Sequence, residues 1–167
     1  MVDTATWTQE LLFSSAKQDW GTPPHVFEYF NKKYQFQLDA AARKDNALCD
    51  RFIGPETDAL SVPWDASTIW LNPPYGRGVG KWLEKAYDES KRGSTIGVLI
   101  FARTDTRWWH DFVMKANVIF LIKGRLKFVD GEGNAKSPAT APSCFVVFSV
   151  VPPIGGPRFI SLDFHDV

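Results

Sequence analysis

The middle of the chain alternates short apolar runs with a stretch of helical periodicity. Residues 68–71 (Thr-Ile-Trp-Leu) are β-branched and apolar, which is typical of a short buried strand. Residues 79–91 place apolar side chains at helical spacing and are followed by Gly93, which predicts a helix and its end. Residues 94–101 form a nearly continuous apolar run, as expected of a central strand buried on both faces. A strand, a helix and a second strand therefore follow one another here.

The segments before this unit fit the same scheme. An apolar face of Val26, Phe27 and Phe30 predicts a helix over residues 23–31, with Thr22 as N-cap and Pro23 at the first helical position. Residues 35–39 alternate polar and apolar side chains and end in Asp39, which predicts a strand with an acid at its carboxyl end. The connections that follow are predicted as a short helix or turn at 40–47, irregular chain at 46–52 and a loop at 54–64.

The last third of the chain is dominated by strands. The pattern predicts a helix at 104–115, a strand at 117–122, a short strand or turn at 124–128, a surface loop at 130–141, a strand at 143–150 and an edge strand at 159–162. Alternating strands and helices followed by consecutive strands indicate a three-layer α/β domain with a mixed sheet. In such open sheets, ligands bind at the carboxyl edge of the strands.

Length and composition fit one domain. The 167 residues, 44% of them hydrophobic, are enough for one full core, so we expect an amino-terminal arm over residues 1–18 and a single domain over 19–167. Lys plus Arg equals Asp plus Glu at 19 each, so any basic surface that attracts nucleic acid must be local. The oligomeric state is left open by the sequence.

The sequence shows no pattern for metal binding, export or membrane insertion. Two Cys and three His lack the spacing of zinc ligands or of a disulfide scaffold, so no metal is expected. The start of the chain lacks the pattern of a secretory signal, and no apolar run approaches the roughly 20 residues of a membrane helix. We therefore expect a cytoplasmic protein in a reducing compartment, with no membrane partner.

The unusual chemistry lies in Asn72-Pro73-Pro74-Tyr75, directly after the strand at 68–71. The two prolines fix φ near −65° and stiffen the loop. The loop then presents the Asn72 side-chain oxygen and the Pro73 carbonyl as acceptors beside the Tyr75 ring. Two acceptors and an aromatic plane suit an exocyclic amino group on a flat heterocycle, because they bind its two N–H groups and stack on its ring. Such a site favours amine methylation, in which charge builds on the attacking nitrogen.

This tetrapeptide resembles the catalytic motif of amino-directed S-adenosylmethionine-dependent methyltransferases. A longer series in the same order resembles the small phage-encoded DNA adenine methyltransferase family, and consists of Asp19-Trp20-Gly21-Thr22-Pro23, Leu38-Asp39-Ala40-Ala41, Asp58-Ala59-Leu60, Asn72-Pro73-Pro74-Tyr75, Ala102-Arg103-Thr104-Asp105-Thr106, Gly124-Arg125-Leu126-Lys127-Phe128 and Ala141-Pro142-Ser143. The resemblance implies a Rossmann-like domain with a mostly parallel sheet. It further implies S-adenosylmethionine as methyl donor, the 6-amino group of adenine in double-stranded DNA as acceptor, and catalysis by Asn72, Pro73, Pro74 and Tyr75.

The resemblance also implies a binding site for the donor. Trp20, Thr22 and Pro23 are expected to close over its methionine end, Asp39 to bind its ammonium or ribose hydroxyls, and Asp58 to bind its adenosine end. Each acid has a simpler interpretation as a loop carboxylate or a cap. Residues 40–42 are alanines where larger methyltransferases carry a glycine-rich turn.

Contacts with DNA are expected from basic and polar residues near the same sheet edge, namely Arg103, Thr104, Arg107, Lys123, Arg125 and Lys127. Thr104 is equally well interpreted as a helix cap, and the lysines as a solvated face. Only 33 residues separate Asp39 from Asn72, which leaves no room for an inserted recognition domain and predicts a short recognition site or relaxed specificity.

Other functions remain open at this point. Cytosine amino groups, RNA amino groups and protein glutamine are chemically related acceptors, although cytosine enzymes more often carry Ser at the position of Asn72. A nucleic-acid-binding module that has lost its donor site is the alternative from another class.

Overall fold

The computed structural model describes residues 20–151 and 153–165. The predicted arm at residues 1–18 lies outside this part of the chain. The described elements are α1 (Pro24–Tyr34), β1 (Leu38–Asp39), β2 (Arg51–Phe52), β3 (Thr68–Leu71), α2 (Val79–Lys91), β4 (Thr95–Phe101), α3 (Arg107–Asp111), a 3-10 helix (Val113–Lys115), β5 (Val118–Ile122), β6 (Ser143–Phe148) and β7 (Arg158–Leu162).

The strands form one seven-stranded sheet in the order β2-β1-β3-β4-β6-β5-β7. All neighbours are parallel except the pairs that β6 makes with β4 and β5. One reversed strand in an otherwise parallel sheet confirms the predicted α/β domain with a mixed, mostly parallel, Rossmann-like sheet. As a result, the carboxyl ends of six strands and the amino end of β6 meet at one edge of the sheet, which we call the carboxyl edge.

Helices cover both faces of the sheet and create two cores. On one face, alternate residues of β3, β4 and β6 pack against α2 and α3, which contribute Val79, Leu83 and Ala86 from α2 and Trp109 from α3. On the other face, which we call the α1 face, Val26, Phe27 and Phe30 pack onto the remaining alternate residues. Burial on both faces explains why β4 and β6 read as continuous apolar runs.

Gly97 in β4 makes room for large rings on the α1 face. A Cβ at this position would lie 2.3 Å from Cζ of Phe145 and 3.0 Å from Cζ of Phe36. The missing side chain lets Trp70 stack on Phe145 at 5.3 Å directly above the neighbouring strand. This aromatic layer, which also includes Phe27 and Phe30, holds α1 on the sheet.

Several predicted boundaries are corrected. The first helix begins at Pro24, and Pro23 rather than Thr22 occupies the N-cap position, without a side-chain cap bond. The strand predicted at 35–39 contains only Leu38–Asp39, while the chain predicted as irregular at 46–52 contributes β2, which pairs with β1. Backbone pairing of two residues has no periodicity of its own, so the pattern could not show it. Residues 40–47 form turns, as one of the two predicted alternatives.

The other corrections lie in the second half of the chain. The helix predicted at 104–115 is divided into α3 and the 3-10 helix, which meet at Phe112, where φ is −127°. Residues 124–128 form no regular strand, although Val129 makes isolated bridges to Gly21 and Ala135. The edge strand predicted near 159–162 is confirmed as β7. None of the helices in the described ranges is both long and apolar enough to span a bilayer.

Candidate active site

The acceptor loop, residues 72–75, continues β3 at the carboxyl edge of the sheet. β1 and β4 flank β3, so Asp39 at the end of β1 and the chain after Phe101 of β4 lie on either side of the loop. Asp39 pairs with Trp70 in register, and Asn72 follows Trp70 by two residues, so alternation directs Asp39 and Asn72 to the same face. That face is the α1 face, because Trp70 belongs to its core. Asp39, which was predicted to bind the methyl donor, and Asn72 therefore lie on the same face of two adjacent parallel strands.

Asn72 is held in one orientation by the segment that precedes α1. Its Nδ2 donates to the Trp20 carbonyl oxygen at 2.8 Å and to Thr22 Oγ1 at 3.2 Å. The Trp20 carbonyl can only accept, so the amide nitrogen must face it and Oδ1 must face the other way. Oδ1 is buried and has no hydrogen-bond partner among the described residues. The site therefore contains a fixed, desolvated acceptor without a donor, which is costly unless a ligand supplies the donor.

The Trp20–Thr22 segment is itself fixed by a close backbone approach at Gly21. Gly21 N donates to the Val129 carbonyl oxygen and Val129 N donates to the Gly21 carbonyl oxygen, both at 2.9 Å. A Cβ on Gly21 would lie 2.9 Å from Val129 Cγ2 and 3.0 Å from the Val129 carbonyl oxygen. Only glycine allows this spacing without displacement of one of the two chains. The pairing thus sets where Trp20 and Thr22 present their acceptors to Asn72.

Tyr75 belongs to a cluster of four aromatic rings, Trp20, Tyr75, Phe101 and Phe128, which we call the aromatic cluster. Its ring stacks on Phe101 with centroids 4.4 Å apart and an interplanar angle of 28°, and it meets the edge of Phe128 at 5.9 Å. Its hydroxyl donates to the Leu99 carbonyl oxygen at 3.2 Å, and burial raises the pKa of the phenol. Trp20 lies edge-on to Phe101 and Phe128. Phe101 therefore already occupies one face of the Tyr75 ring.

Asp39 is a buried carboxylate that accepts two hydrogen bonds from the backbone. It is 3% exposed, and its oxygens accept backbone N–H bonds from Leu48 at 3.1 Å and Ala41 at 3.4 Å. Burial raises the pKa of Asp39 to about 6, and these two bonds only partly offset that effect. The ionised form is thus held at a cost that a nearby cation would remove. This environment differs from that of an ordinary solvated loop acid.

The alanine turn after Asp39 offers few free amides. Ala40 N donates to the Trp70 carbonyl oxygen at 2.9 Å and Ala42 N to the Ile53 carbonyl oxygen at 3.2 Å. Ala41 N makes the long bond to Asp39 described above. The turn therefore continues the sheet pairing and does not present a row of unpaired N–H groups to an anion.

Asp58 has a local role in its own loop. Its side chain is exposed, and Oδ1 accepts a bond from Leu60 N at 3.1 Å, while its carbonyl oxygen accepts from Ser61 N and Oγ. These bonds close a turn next to Ala59, whose carbonyl oxygen accepts from Trp64 Nε1. The structure thus gives Asp58 the turn-closing role that the sequence offered as its simpler interpretation.

The basic residues after β4 and β5 lie near the carboxyl edge and are exposed. Arg103 follows β4, and its guanidinium lies 5.9 Å from the centre of the Phe101 ring, while Arg107 pairs with Asp111 at 3.2 Å on α3. Thr104 is exposed and is not the helix cap, because Thr106 occupies that position; the Thr104 carbonyl oxygen lies 2.9 Å from His110 Nε2. Arg103, Thr104 and Arg107 are therefore exposed to solvent near the carboxyl end of β4.

The segment after β5 exposes its basic side chains, Lys123, Arg125 and Lys127, and buries Leu126 and Phe128. The predicted alternation is thus present although the segment is not a strand. Lys123 Nζ lies 2.6 Å from Asp163 Oδ2, so part of its charge is neutralised. The result is a basic row directly beside the aromatic cluster.

Sequence reasoning singled out residues 72–75 as a candidate site and missed most of the contacts that support this loop. Phe101 was predicted only as part of a buried strand, and Phe128 and Gly21 only as parts of motifs, so none of the three was assigned a role at the site. The only signal for the Gly21 pairing was a glycine between two residues with predicted roles. Among the described residues, no group of three His, Cys, Asp or Glu side chains is arranged to hold a metal ion.

Comparisons with known proteins match this chain to a family model and to proteins of two phages. The family model described as DNA N-6-adenine-methyltransferase (Dam) matches residues 10–161. A protein of Haemophilus phage HP1 (strain HP1c1) named DNA N-6-adenine-methyltransferase is 28% identical over 159 residues, covering 92% of this chain and 91% of that protein. A protein of the same name from Escherichia phage T1 is 33% identical over 121 residues, covering 71% of this chain and 50% of its own length.

Proposed function

This chain belongs to the DNA N-6-adenine-methyltransferase (Dam) family, and on that basis we propose that residues 72–75 form its catalytic loop. The chain is accordingly an adenine-specific DNA methyltransferase, and membership implies S-adenosylmethionine as methyl donor and DNA as substrate. The observation that supports the catalytic assignment is the buried Asn72 Oδ1, which is fixed in direction and has no donor in the part of the chain that the structure describes. The adenine amino group is a donor of the required kind.

The proposed reaction is a direct displacement at the methyl carbon. The donor supplies a methyl group on a sulfonium; as the adenine nitrogen forms its new bond to carbon, the carbon–sulfur bond breaks and its electron pair stays on sulfur, giving S-adenosylhomocysteine. Asn72 Oδ1 and the Pro73 carbonyl oxygen accept the two amino hydrogens and stabilise the positive charge that develops on nitrogen. The extra proton then leaves to water. Pro73 and Pro74 hold the two acceptors rigid, and this alignment supplies much of the rate.

Access of the amino group to this loop requires that the base leave the helix. In a duplex the adenine amino group is paired and stacked, whereas Asn72 Oδ1 is buried within the protein. We therefore propose base flipping, with the extruded adenine stacked on the face of Tyr75 opposite Phe101. Stacking on an aromatic side chain contributes about 1–3 kcal/mol per base, which offsets part of the cost of extrusion.

The donor is proposed to lie between β1 and the segment before α1. Asp39 would accept from its ammonium or ribose hydroxyls, and the buried carboxylate with a raised pKa fits a cationic ligand. Trp20, Thr22 and Pro23 would close over the methionine end, on the side where Trp20 and Thr22 already contact Asn72. Asp58 is proposed for the adenosine end, with its turn-closing bonds supporting the loop.

DNA is proposed to lie along the basic row and the start of α3. Arg103, Arg107, Lys123, Arg125 and Lys127 would contact phosphates, Thr104 would line the pocket of the flipped base, and the substrate would be double-stranded. We further propose that residues 19–167 act as one domain, so that the loops and the carboxyl-terminal third supply any sequence specificity.

The test of this function is transfer of labelled methyl groups to unmethylated DNA, followed by nucleoside analysis. Label in N6-methyldeoxyadenosine is expected. Label found only in methylcytosine, RNA or protein would contradict the assigned acceptor. Sequencing of the methylated product would then define the recognition site.

Donor binding is expected to weaken as the pH falls below about 6. A bound cation stabilises the Asp39 carboxylate, so the pKa of Asp39 in the complex is lower than the value of about 6 in the free protein. Affinity is then constant above about pH 6.5 and falls by up to about tenfold per unit as protons compete between pH 6 and 5. Calorimetric titration with S-adenosylmethionine between pH 5 and 7 measures this dependence, in a range where the donor's own amino and carboxyl groups do not titrate.

The control for this titration is Asp39→Asn. It should bind the donor more weakly at pH 7, and its affinity should hardly change between pH 5 and 7. An equally steep profile in Asp39→Asn would show that the pH dependence does not come from Asp39.

Removal of the basic row is expected to weaken DNA binding in a salt-dependent manner. Arg125 and Lys127 are exposed, so each alanine substitution should remove about one phosphate contact and lower the slope of log affinity against log salt by about one. Lys91→Ala at the end of α2 is the matched control, because Lys91 pairs with Asp88 near the opposite edge of the sheet. Equal slopes for all of these variants and the wild type would exclude the row from the DNA interface.

A further inference from the structure

Ser143 carries a buried hydroxyl that the reaction described above does not use. Within residues 20–151 and 153–165, three buried side-chain polar atoms lack a hydrogen-bond partner, and they are Trp70 Nε1, Asn72 Oδ1 and Ser143 Oγ. Ser143 is only 2% exposed. A buried hydroxyl without a partner destabilises the fold, so its presence points to a partner outside the described residues.

The position of Ser143 connects it to the acceptor site. It is the first residue of β6, the one reversed strand, so it lies at the carboxyl edge together with the acceptor loop. It pairs in register with Phe101 of β4, and paired residues of antiparallel strands project to the same face. Phe101 is the ring on which Tyr75 stacks at 4.4 Å. The Ser143 hydroxyl therefore borders the aromatic cluster on the α1 face.

The order of the strands separates Ser143 from the proposed donor acid. β6 is three strands away from β1, or about 14 Å across the sheet, but only two strands away from β3, or about 10 Å. Two short side chains, two hydrogen bonds and the edge of one purine can bridge the shorter separation. Ser143 is thus placed for the acceptor base and not for the ammonium group of the donor.

We propose that the Ser143 hydroxyl contacts the flipped adenine and donates a hydrogen bond to one of its ring nitrogens. The amino group of adenine offers hydrogens to Asn72 and Pro73, whereas N1 and N7 on either side of it can only accept. A hydroxyl can donate, and Asn72 Oδ1 cannot. Ser143 would therefore recognise the acceptor part of the base and help to select adenine, an assignment that rests on the proposed function of residues 72–75.

The substitution Ser143→Ala separates this role from a structural one. Loss of a buried unpaired hydroxyl should raise the Tm, by about 2–4 °C, while loss of the contact with the base should lower kcat/KM for DNA about tenfold. A serine that only supports the fold would lose stability and activity together. Ser94→Ala is the matched control, because Ser94 is a buried serine at the opposite edge whose Oγ donates to the Ala66 carbonyl oxygen at 2.7 Å. That variant should lose stability and keep its kcat/KM.

Base analogues identify the contacted atom. Duplexes with 1-deazaadenine or 7-deazaadenine at the methylated position each lack one ring nitrogen. We expect the wild type to lose about tenfold in kcat/KM with one of these two analogues. Ser143→Ala should show no additional loss with that analogue, since the two changes remove the same bond.

Three results would overturn the proposal, namely an unchanged kcat/KM in Ser143→Ala, losses from the substitution and the analogue that simply multiply, or a lower Tm in Ser143→Ala. The parallel variant Asn72→Ala tests the acceptor loop itself. If Asn72→Ala is strongly impaired and Ser143→Ala is not, only the assignment of Ser143 fails. If Asn72→Ala retains its turnover, the proposed function of the loop fails.

Discussion

Asn72→Ala is expected to lower the rate of methyl transfer about 100-fold or more while the fold and donor binding persist. The substitution removes Oδ1, the fixed acceptor for the amino group, and deletion of one such transition-state contact typically costs about 100- to 1000-fold in turnover. It also releases the Trp20 carbonyl and the Thr22 hydroxyl from Nδ2. Single-turnover kinetics with bound DNA measure the chemical step, and calorimetry with S-adenosylmethionine measures donor binding.

The matched control is Asn31→Ala. Asn31 is also half-buried and also uses its side chain to hold the backbone, since its Oδ1 accepts from Phe36 N at 2.8 Å, but it lies near the opposite edge of the sheet. Its alanine variant should lose stability and keep the rate of methyl transfer. Equal rates for Asn72→Ala and the wild type would exclude Asn72 from the reaction.

Gly21→Val is expected to lower turnover by about 100-fold without changing any residue that touches the substrate. Its side chain would collide with the Val129 carbonyl, which a Cβ alone already approaches to 3.0 Å, so the paired chains must separate. Trp20 and Thr22 then move away from Asn72 Nδ2, and the amide is free to rotate. A shift of about 1 Å in a reacting group is enough for a loss of this size.

Gly78→Ala provides the control for Gly21→Val, because a Cβ on Gly78 would meet nothing within 4 Å and its φ of −85° suits any residue. That variant should be as active as the wild type. For Gly21→Val we expect the loss mainly in kcat with saturating DNA. A loss confined to KM would mean that the Gly21–Val129 pairing serves DNA binding and not the orientation of Asn72.

The fold could be predicted from sequence where burial leaves a pattern. β3, α2 and β4 were correctly located, because a strand buried on both faces and an amphipathic helix each have a distinct periodicity. β2 was missed, since two residues paired on one side carry no period. The helix after β4 was predicted too long, because Phe112 and Val113 continue to face the core beyond Asp111. A hydrophobic pattern in the sequence shows which residues are buried, but it does not show where an α-helix ends and a 3-10 helix begins.

The candidate site could be predicted only in part. Asn72-Pro73-Pro74-Tyr75 is recognisable because its residue types are rare together and suit one chemistry. The partners of Asn72 are 50 and 52 residues away in the chain, and no local pattern records such contacts. Stacking of Tyr75 on Phe101 depends on how two neighbouring strands end, so it also required the structure. The roles of the individual residues in binding and catalysis stay predictions.

The pairing of Gly21 with Val129 affects when activity can appear during synthesis of the chain. A ribosome releases residues 72–75 more than 50 residues before it releases Val129. A nascent chain therefore carries the proposed catalytic loop without the Gly21–Val129 pairing that fixes the segment in contact with Asn72. We therefore expect methyltransferase activity to arise late in synthesis, after Val129 has left the ribosome and paired with Gly21. A truncated product that ends before this point would keep the motif and remain inert.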